Sequence, residues 1–366
     1  MCTVMRASAR AAWSMAGALV LVLPAAGAAQ AQDFYAGKRL TILVNYDAGG
    51  PTDIEARLIA RHIVTHIPGQ PNVIVQNMGG AGGIIGAKYL GEKGPRDGTM
   101  VGYFTAAAQH AAFAPEKFTV DFRTYDFVAY MPNGRIHFMR TDLKPGIKRA
   151  RDVLKAQGVV AGGLTSESPK DLAMRMVLDM LGVPHKYVTG YNSSSHATLA
   201  FQRGELNFYS DSPSAYISKI EPAMVKKGEV IPVCFDPIYR AGEFVVPKQI
   251  VPLGITSCVE MIRQVRGAMP TGPMAEAYIA LLSFAGTMYR TLTLPPSAPP
   301  VALAQLRKAM QSLNDDKAYS DDAQRTIGEA PDYVTSGDLN ADARRLLTAA
   351  PAVQELIGQY ARQAKK

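Results

Sequence analysis

Two glycine-rich turns carry the clearest chemical signal in this sequence, and each follows a short apolar run. The first is Tyr46-Asp47-Ala48-Gly49-Gly50-Pro51-Thr52-Asp53, and the second extends from Asn77 to Gly86 with glycine at 79, 80, 82, 83 and 86. Glycine allows backbone angles closed to other residues, so a ligand can approach bare N–H groups. A helix that starts at such a turn adds the positive end of its dipole. The two turns therefore predict an anion-binding crevice.

The first turn also has the residues of a helix start. Thr52 is predicted to cap the helix, and Glu55, three places later, would complete a capping box. Asp53 is unexpected beside an anion. It either accepts N–H bonds at the helix start or holds a bridging water, and the pattern leaves both roles open.

Other chemistries have weaker support. A dinucleotide fingerprint fails because Ile85 stands where the third glycine belongs, and no phosphate-binding P-loop pattern is present. His62 and His66 have the spacing of zinc ligands, but Ile63 occupies the position of the general-base glutamate, which favours an ordinary helix face. His196 follows a serine-rich turn without a nucleophile elbow, so those serines are interpreted as helix caps. We therefore predict no catalytic residue, metal or cofactor, and scattered basic residues give no support for nucleic-acid binding.

Short strand-like runs alternate with helical patterns along the chain. Residues 40–44, 72–75 and 100–104 are predicted strands, with helices over 53–67 and 83–90 between them. A second series contains strands near 159–161, 187–188 and 206–209. This alternation predicts an α/β fold of two units, each with a parallel sheet covered by helices. The predicted domain boundaries are 32–126 with 233–366 for the first domain, and 127–232 for the second.

The amino end predicts export. Arg6 and Arg10 precede an apolar stretch over 11–23 and a small-residue run over 25–31, which is the order of a secretory signal peptide cleaved after Ala31. A membrane anchor is the alternative, although the apolar stretch is short for one. The chain has 366 residues, a formal charge of +8 and 48% hydrophobic residues, which favours a globular protein whose positive field attracts anions.

Export would leave Cys234 and Cys258 as the cysteines of the mature chain. A disulfide between them is possible in an oxidising compartment but cannot be deduced from their spacing. Cys234 lies in the apolar run 230–235, so a plain buried thiol is the favoured interpretation.

The glycine turns also match a known family. The core Gly49-Gly50-Pro51-Thr52-Asp53, the run 77–87, the segment Arg96-Asp97-Gly98-Thr99 and the segment 211–215 together resemble the Bug-type substrate-binding proteins of tripartite tricarboxylate transporters. The resemblance implies a type II periplasmic binding-protein fold, with two α/β domains that close over a ligand cleft. It also implies a monomer in the periplasm that binds a small organic acid and has a separate two-subunit membrane permease as its partner.

The resemblance assigns site residues in two groups. A carboxylate clamp would come from the two turns, and ligand-selecting residues would follow the later strands. The clamp comprises Tyr46, Gly50, Thr52, Asp53, Ala81, Gly82 and Gly83, and the selecting residues are Thr105, Ala106, Thr165, Ser166, Asn192, Ser193 and Asp211.

Three turns depart from the family pattern, at Met78-Gly79, 164–168 and 189–192. The loss of a positive side chain there makes a highly charged ligand such as citrate doubtful and leaves a monocarboxylate or aromatic acid open. A sensor subunit of the same fold is the alternative function, and a periplasmic hydrolase that uses His196 is the alternative of another class.

Overall fold

The computed structural model describes residues 1–3, 33–240, 242–268, 270–348 and 350–363, so the predicted signal peptide lies outside the described residues. The strands are β1 (Arg39–Val44), β2 (Asn72–Asn77), β3 (Met100–Thr105), β4 (Asp126–Met131), β5 (Arg135–Arg140), β6 (Val159–Gly163), β7 (His185–Thr189), β8 (Phe208–Asp211), β9 (Val230–Asp236), β10 (Ile238–Arg240), β11 (Glu243–Val245) and β12 (Arg290–Leu294). The α-helices are α1 (Pro51–Ile63), α2 (Ile84–Glu92), α3 (Ala107–Phe113), α4 (Pro169–Leu181), α5 (Ser194–Gln202), α6 (Pro213–Ala215), α7 (Cys258–Arg266), α8 (Pro273–Met288), α9 (Pro300–Asn314), α10 (Lys317–Ile327), α11 (Leu339–Leu346) and α12 (Pro351–Gln363).

The first sheet has the strand order β2-β1-β3-β12-β4. Strand β1 pairs in parallel with β2 and β3, as the alternating strands and helices predict. Strand β12 pairs antiparallel with β3 and β4, so the sheet is mixed rather than wholly parallel. Buried apolar residues from α1, α9 and α10 pack in one cluster against this sheet. We call this half of the molecule the first lobe.

The second sheet has the order β7-β6-β8-β5-β9 and is also mixed. Strand β6 is parallel to β7 and β8, while β5 runs antiparallel to β8 and β9. The chain enters this sheet between Met131 and Arg135 and leaves it after Asp236. We call this half the second lobe. The domain boundaries proposed from the sequence, at 126 and 232, remain a prediction.

The prediction of a plain buried thiol at Cys234 is wrong, because Cys234 and Cys258 form a disulfide. Cys234 lies on β9 and Cys258 begins α7. An isolated β-bridge between the backbones of Phe235 and Ser257 holds the two segments together. This proximity depends on how α7 packs, which spacing along the chain does not show. Among the described residues, no helix is long and apolar enough to cross a membrane.

Candidate functional site

The first glycine turn is fixed by Asp53. The Asp53 carboxylate accepts a bond from the Gly49 N–H at 2.8 Å and one from Asn77 Nδ2 at 3.0 Å, and it pairs with Arg57. Burial raises the pKa of Asp53, but the hydrogen bonds from Arg57, Gly49 and Asn77 outweigh this effect and lower it. Asp53 therefore remains ionised and satisfies donors at the start of α1, the first of its two predicted roles.

The predicted capping box at this turn is wrong. The N-cap of α1 is Gly50, which has no side-chain cap. The hydroxyl of Thr52 instead lies 2.8 Å from that of Thr105, and the buried Glu55 bonds Arg290 and the Tyr103 hydroxyl. Both side chains are turned towards β3 and β12 because polar partners there compensate their burial.

The second glycine turn is held through its carbonyl groups. The Gly82 carbonyl accepts bonds from the Tyr46 hydroxyl at 2.7 Å and from His110 Nε2 at 3.1 Å. The Gly83 carbonyl accepts one from Asn45 Nδ2 at 3.0 Å. Burial and the nearby Lys117 lower the pKa of His110 to about 4, so its ring is neutral at neutral pH and Nε2 carries the donated proton.

A small cavity lies between the two lobes, with a volume of about 30 Å³. At roughly 10–15 Å³ per water, this is room for about two water molecules. Seven of the residues predicted from the sequence line it, namely Tyr46, Gly50, Thr52, Thr105, Ala106, Ser193 and Asp211. They follow or end β1, β3 and β8 or lie at the starts of α1 and α5, so the carboxyl edges of both sheets meet here.

The other predicted residues lie outside this cavity. Asp53 is used within the first turn, and Asn192 is exposed. Ala81 lines a separate surface depression together with Thr165 and Ser166. Gly82 lies next to it, where a Cβ would come 3.2 Å from the Thr165 hydroxyl, and the Gly83 carbonyl is bonded to Asn45. The ligand contacts assigned to both groups remain a prediction.

Eight further residues line the cavity and were not predicted: Pro51, Arg135, Leu164, Ser168, Lys170, Ser194, Tyr289 and Arg290. Three of these are cations, whereas Asp211 is the one acid among the lining residues. Lys170 follows Pro169 in the first turn of α4, where the helix dipole makes a positive charge unfavourable. This unfavourable position is the only feature of the sequence that could have identified one of the three cations. Arg135 and Arg290 begin ordinary strand patterns, so nothing in the sequence marked them.

Two of the three cations, Arg290 and Lys170, have different partners. Arg290 is paired with Glu55 and donates from Nε to the Thr105 hydroxyl at 3.0 Å. Lys170 donates to the Tyr209 hydroxyl at 2.8 Å. Asp211 accepts a bond from the Ser212 N–H at 2.8 Å. Glu55 pairs with Arg290, and Asp236 lies 3.5 Å from Arg135, so the cavity wall offers cationic hydrogen-bond donors to an anionic guest rather than a large excess of charge.

Several bonds connect the lobes around this cavity. The Gly49 carbonyl accepts bonds from the Ser195 hydroxyl at 3.1 Å and from Lys219 Nζ at 3.3 Å. Lys117 on the first lobe forms an ion pair with Glu167 on the second. The cleft is therefore closed, with the first glycine turn in contact with both lobes.

Two mixed α/β lobes that meet at a cleft lined by cationic side chains have the architecture of a periplasmic binding protein. Solved structures share this fold. The periplasmic binding protein BugD aligns with a TM-score of 0.61 and 18% identity over 90% of this chain and 98% of its own. Rpa4515 of R. palustris, solved with adipate, gives 0.63 and 17% over 89% and 98%, and MatC of Rhodopseudomonas palustris, solved with bound malate, gives 0.58 and 18% over 90% and 99%.

Two curated proteins are similar to parts of this chain in sequence. A UPF0065 protein from the TAR-I ttuE-ttuC' intergenic region of Agrobacterium vitis is 34% identical over 171 residues, 43% of this chain and 48% of the relative. The protein BugT of Bordetella pertussis is 44% identical over 54 residues, 15% of this chain and 16% of its own. The matched segments thus span about half and about one sixth of these relatives. No family model matches the chain. The resemblance to Bug-type substrate-binding proteins is confirmed by these names.

Proposed function

We propose that this protein is a periplasmic solute-binding protein that captures a small organic carboxylate. The observation that carries the proposal is the cavity between the lobes, whose lining has three cations and one acid. Structures of the same fold that hold malate and adipate support the substrate class. In this proposal the protein is a monomer that performs no chemistry on the ligand and delivers it to a separate two-subunit permease of the tripartite tricarboxylate type.

Closure is the physical basis of capture. Donors from both lobes act on one anion only when the cleft is closed, so the ligand stabilises that form. A shift from about 1% to about 99% closed requires the ligand to favour the closed state by roughly 5.5 kcal/mol. Two or three charge-assisted hydrogen bonds, at about 1.5–3 kcal/mol each, supply this.

The test begins with the ligand that the protein carries. Mass spectrometry of small molecules released on unfolding is expected to find a carboxylic acid. After refolding, calorimetry with malonate through adipate, malate and matched monocarboxylates should give binding by at least one acid. The uncharged diamides serve as controls and should not bind. Failure of every acid to bind, together with no acid released from fresh protein, would contradict the proposal.

A further inference from the structure

Arg135 occupies an unusual position in the fold. It is the first residue of β5, directly after the chain passes from the first lobe to the second, and it pairs in register with Asp236, the last residue of β9. Its side chain is 0% exposed and lines the cavity. An arginine is always charged and is rarely buried unless acceptors bind its N–H groups. The next question is therefore which acceptors Arg135 has.

Asp236 accepts a hydrogen bond from only one of the three side-chain nitrogens of Arg135. Arg135 Nη1 lies 3.5 Å from Asp236 Oδ2, a long contact. The other oxygen of Asp236 is bound more closely by His137 Nε2 at 2.9 Å and by the Tyr278 hydroxyl at 2.5 Å. Asp236 therefore fixes the guanidinium from one side and leaves most of its donors unused.

The unused donors are arranged for a particular partner. Arg135 Nε and Nη2 have no hydrogen-bond partner among the described residues. These two nitrogens form one edge of the planar guanidinium, and their N–H bonds run parallel, which matches the two oxygens of a carboxylate. Buried donors without a hydrogen-bond partner cost free energy. We therefore expect an acceptor beside Nε and Nη2 of Arg135.

We propose that Arg135 binds a carboxylate of the ligand directly, in a bidentate contact through Nε and Nη2, and thereby selects for acids over their neutral analogues. This inference rests on the proposed function. It adds one residue, Arg135, that determines whether an acid or its neutral analogue is bound. The cavity has room for about two water molecules, which is close to the space of two carboxylate oxygens. An amide in the same position would turn an NH₂ group towards the guanidinium and lose one bond.

The test compares two substitutions with a matched control. Arg135→Gln removes the charge, and Arg135→Lys keeps the charge but loses the parallel pair of donors. Arg307→Lys is the control, because Arg307 is a partly buried arginine that donates to the Phe127 carbonyl and does not line the cavity. Calorimetry uses the acid of the malonate-to-adipate series that wild type binds most tightly. We expect roughly 30- to 100-fold weaker binding for Arg135→Gln, about tenfold for Arg135→Lys, and less than twofold for the control.

A second measurement avoids dependence on the folding of Arg135→Gln. In full-length wild type labelled at arginine Nε, the Arg135 N–H signal, assigned by its loss in Arg135→Lys, should shift downfield when the acid is added. If wild type binds the acid but both variants bind equally well and this signal does not move, the role of Arg135 is overturned while the proposed function stands. If wild type binds none of the acids tested and releases none on unfolding, both proposals fail.

Discussion

The two glycine turns have similar sequences but differ in what they do in the folded protein. The first turn places Gly50 and Thr52 on the cavity wall, and its Gly49 carbonyl accepts bonds from the second lobe. The second turn directs its carbonyls inward, where Tyr46, His110 and Asn45 bind them. The first turn thus lines the cavity and bonds the second lobe, whereas the carbonyls of the second turn are bonded by residues of the first lobe.

This division explains why glycine is needed at different positions for different reasons. At Gly83, φ is +94° and a Cβ atom would come within 2.5 Å of Asn45 Nδ2 and 2.9 Å of Tyr46 Cζ. At Gly49, φ is +79° but a Cβ atom would meet nothing within 4 Å. The second turn is therefore limited by packing as well as by backbone angle, and the first by backbone angle alone.

The largest expected effect follows from that contrast. Gly83→Ala should lower the free energy of unfolding by about 2–4 kcal/mol, because it adds backbone strain and a clash with Asn45 and Tyr46. Gly49→Ala should cost about 1 kcal/mol, from the positive φ alone. Urea unfolding of both variants measures the difference. Equal losses would mean that the second turn is not the more tightly packed of the two.

The bond from His110 to the second turn predicts a pH dependence. The pKa of His110 is about 4 in the folded protein against 6.5 ordinarily, so the unfolded chain binds the proton more readily. The stability contributed by the neutral ring is complete above pH 6.5 and is lost as the pH falls towards 4. Between pH 7 and pH 5, wild type should lose on the order of 2 kcal/mol more unfolding free energy than His110→Gln.

Gln is the appropriate replacement at this position because its amide nitrogen can donate to the Gly82 carbonyl without titrating. Urea midpoints measured at each pH for both proteins provide the comparison, since carboxylate titrations common to the two cancel. Parallel pH profiles for wild type and His110→Gln would show that His110 does not carry this proton linkage.

The sequence predicted the parts of the site that lie close to the ends of strands. Thr52 and Asp211 follow or end short apolar runs, and α/β folds bring such positions to one edge. It did not predict Arg135 or Arg290, because a buried cation is stabilised by partners distant in sequence, as Arg290 is by Glu55, 235 residues away. The same limit applies to the second turn, whose orientation depends on a histidine from α3. It applies also to the disulfide, whose two cysteines lie on β9 and at the start of α7, 24 residues apart.

The smallest expected effect separates the cavity from the surface depression beside the second turn. Thr52 lines the cavity and shares a hydrogen bond with Thr105, whereas Ser166 lies with Ala81 in the depression. Thr52→Val keeps the shape but removes the hydroxyl, and should weaken acid binding by about tenfold, the effect of roughly one hydrogen bond. Ser166→Ala should change affinity less than twofold. Calorimetry with one acid decides between the two places: if Ser166→Ala had the larger effect, the ligand would bind in the depression, and the second turn would be the one that meets it.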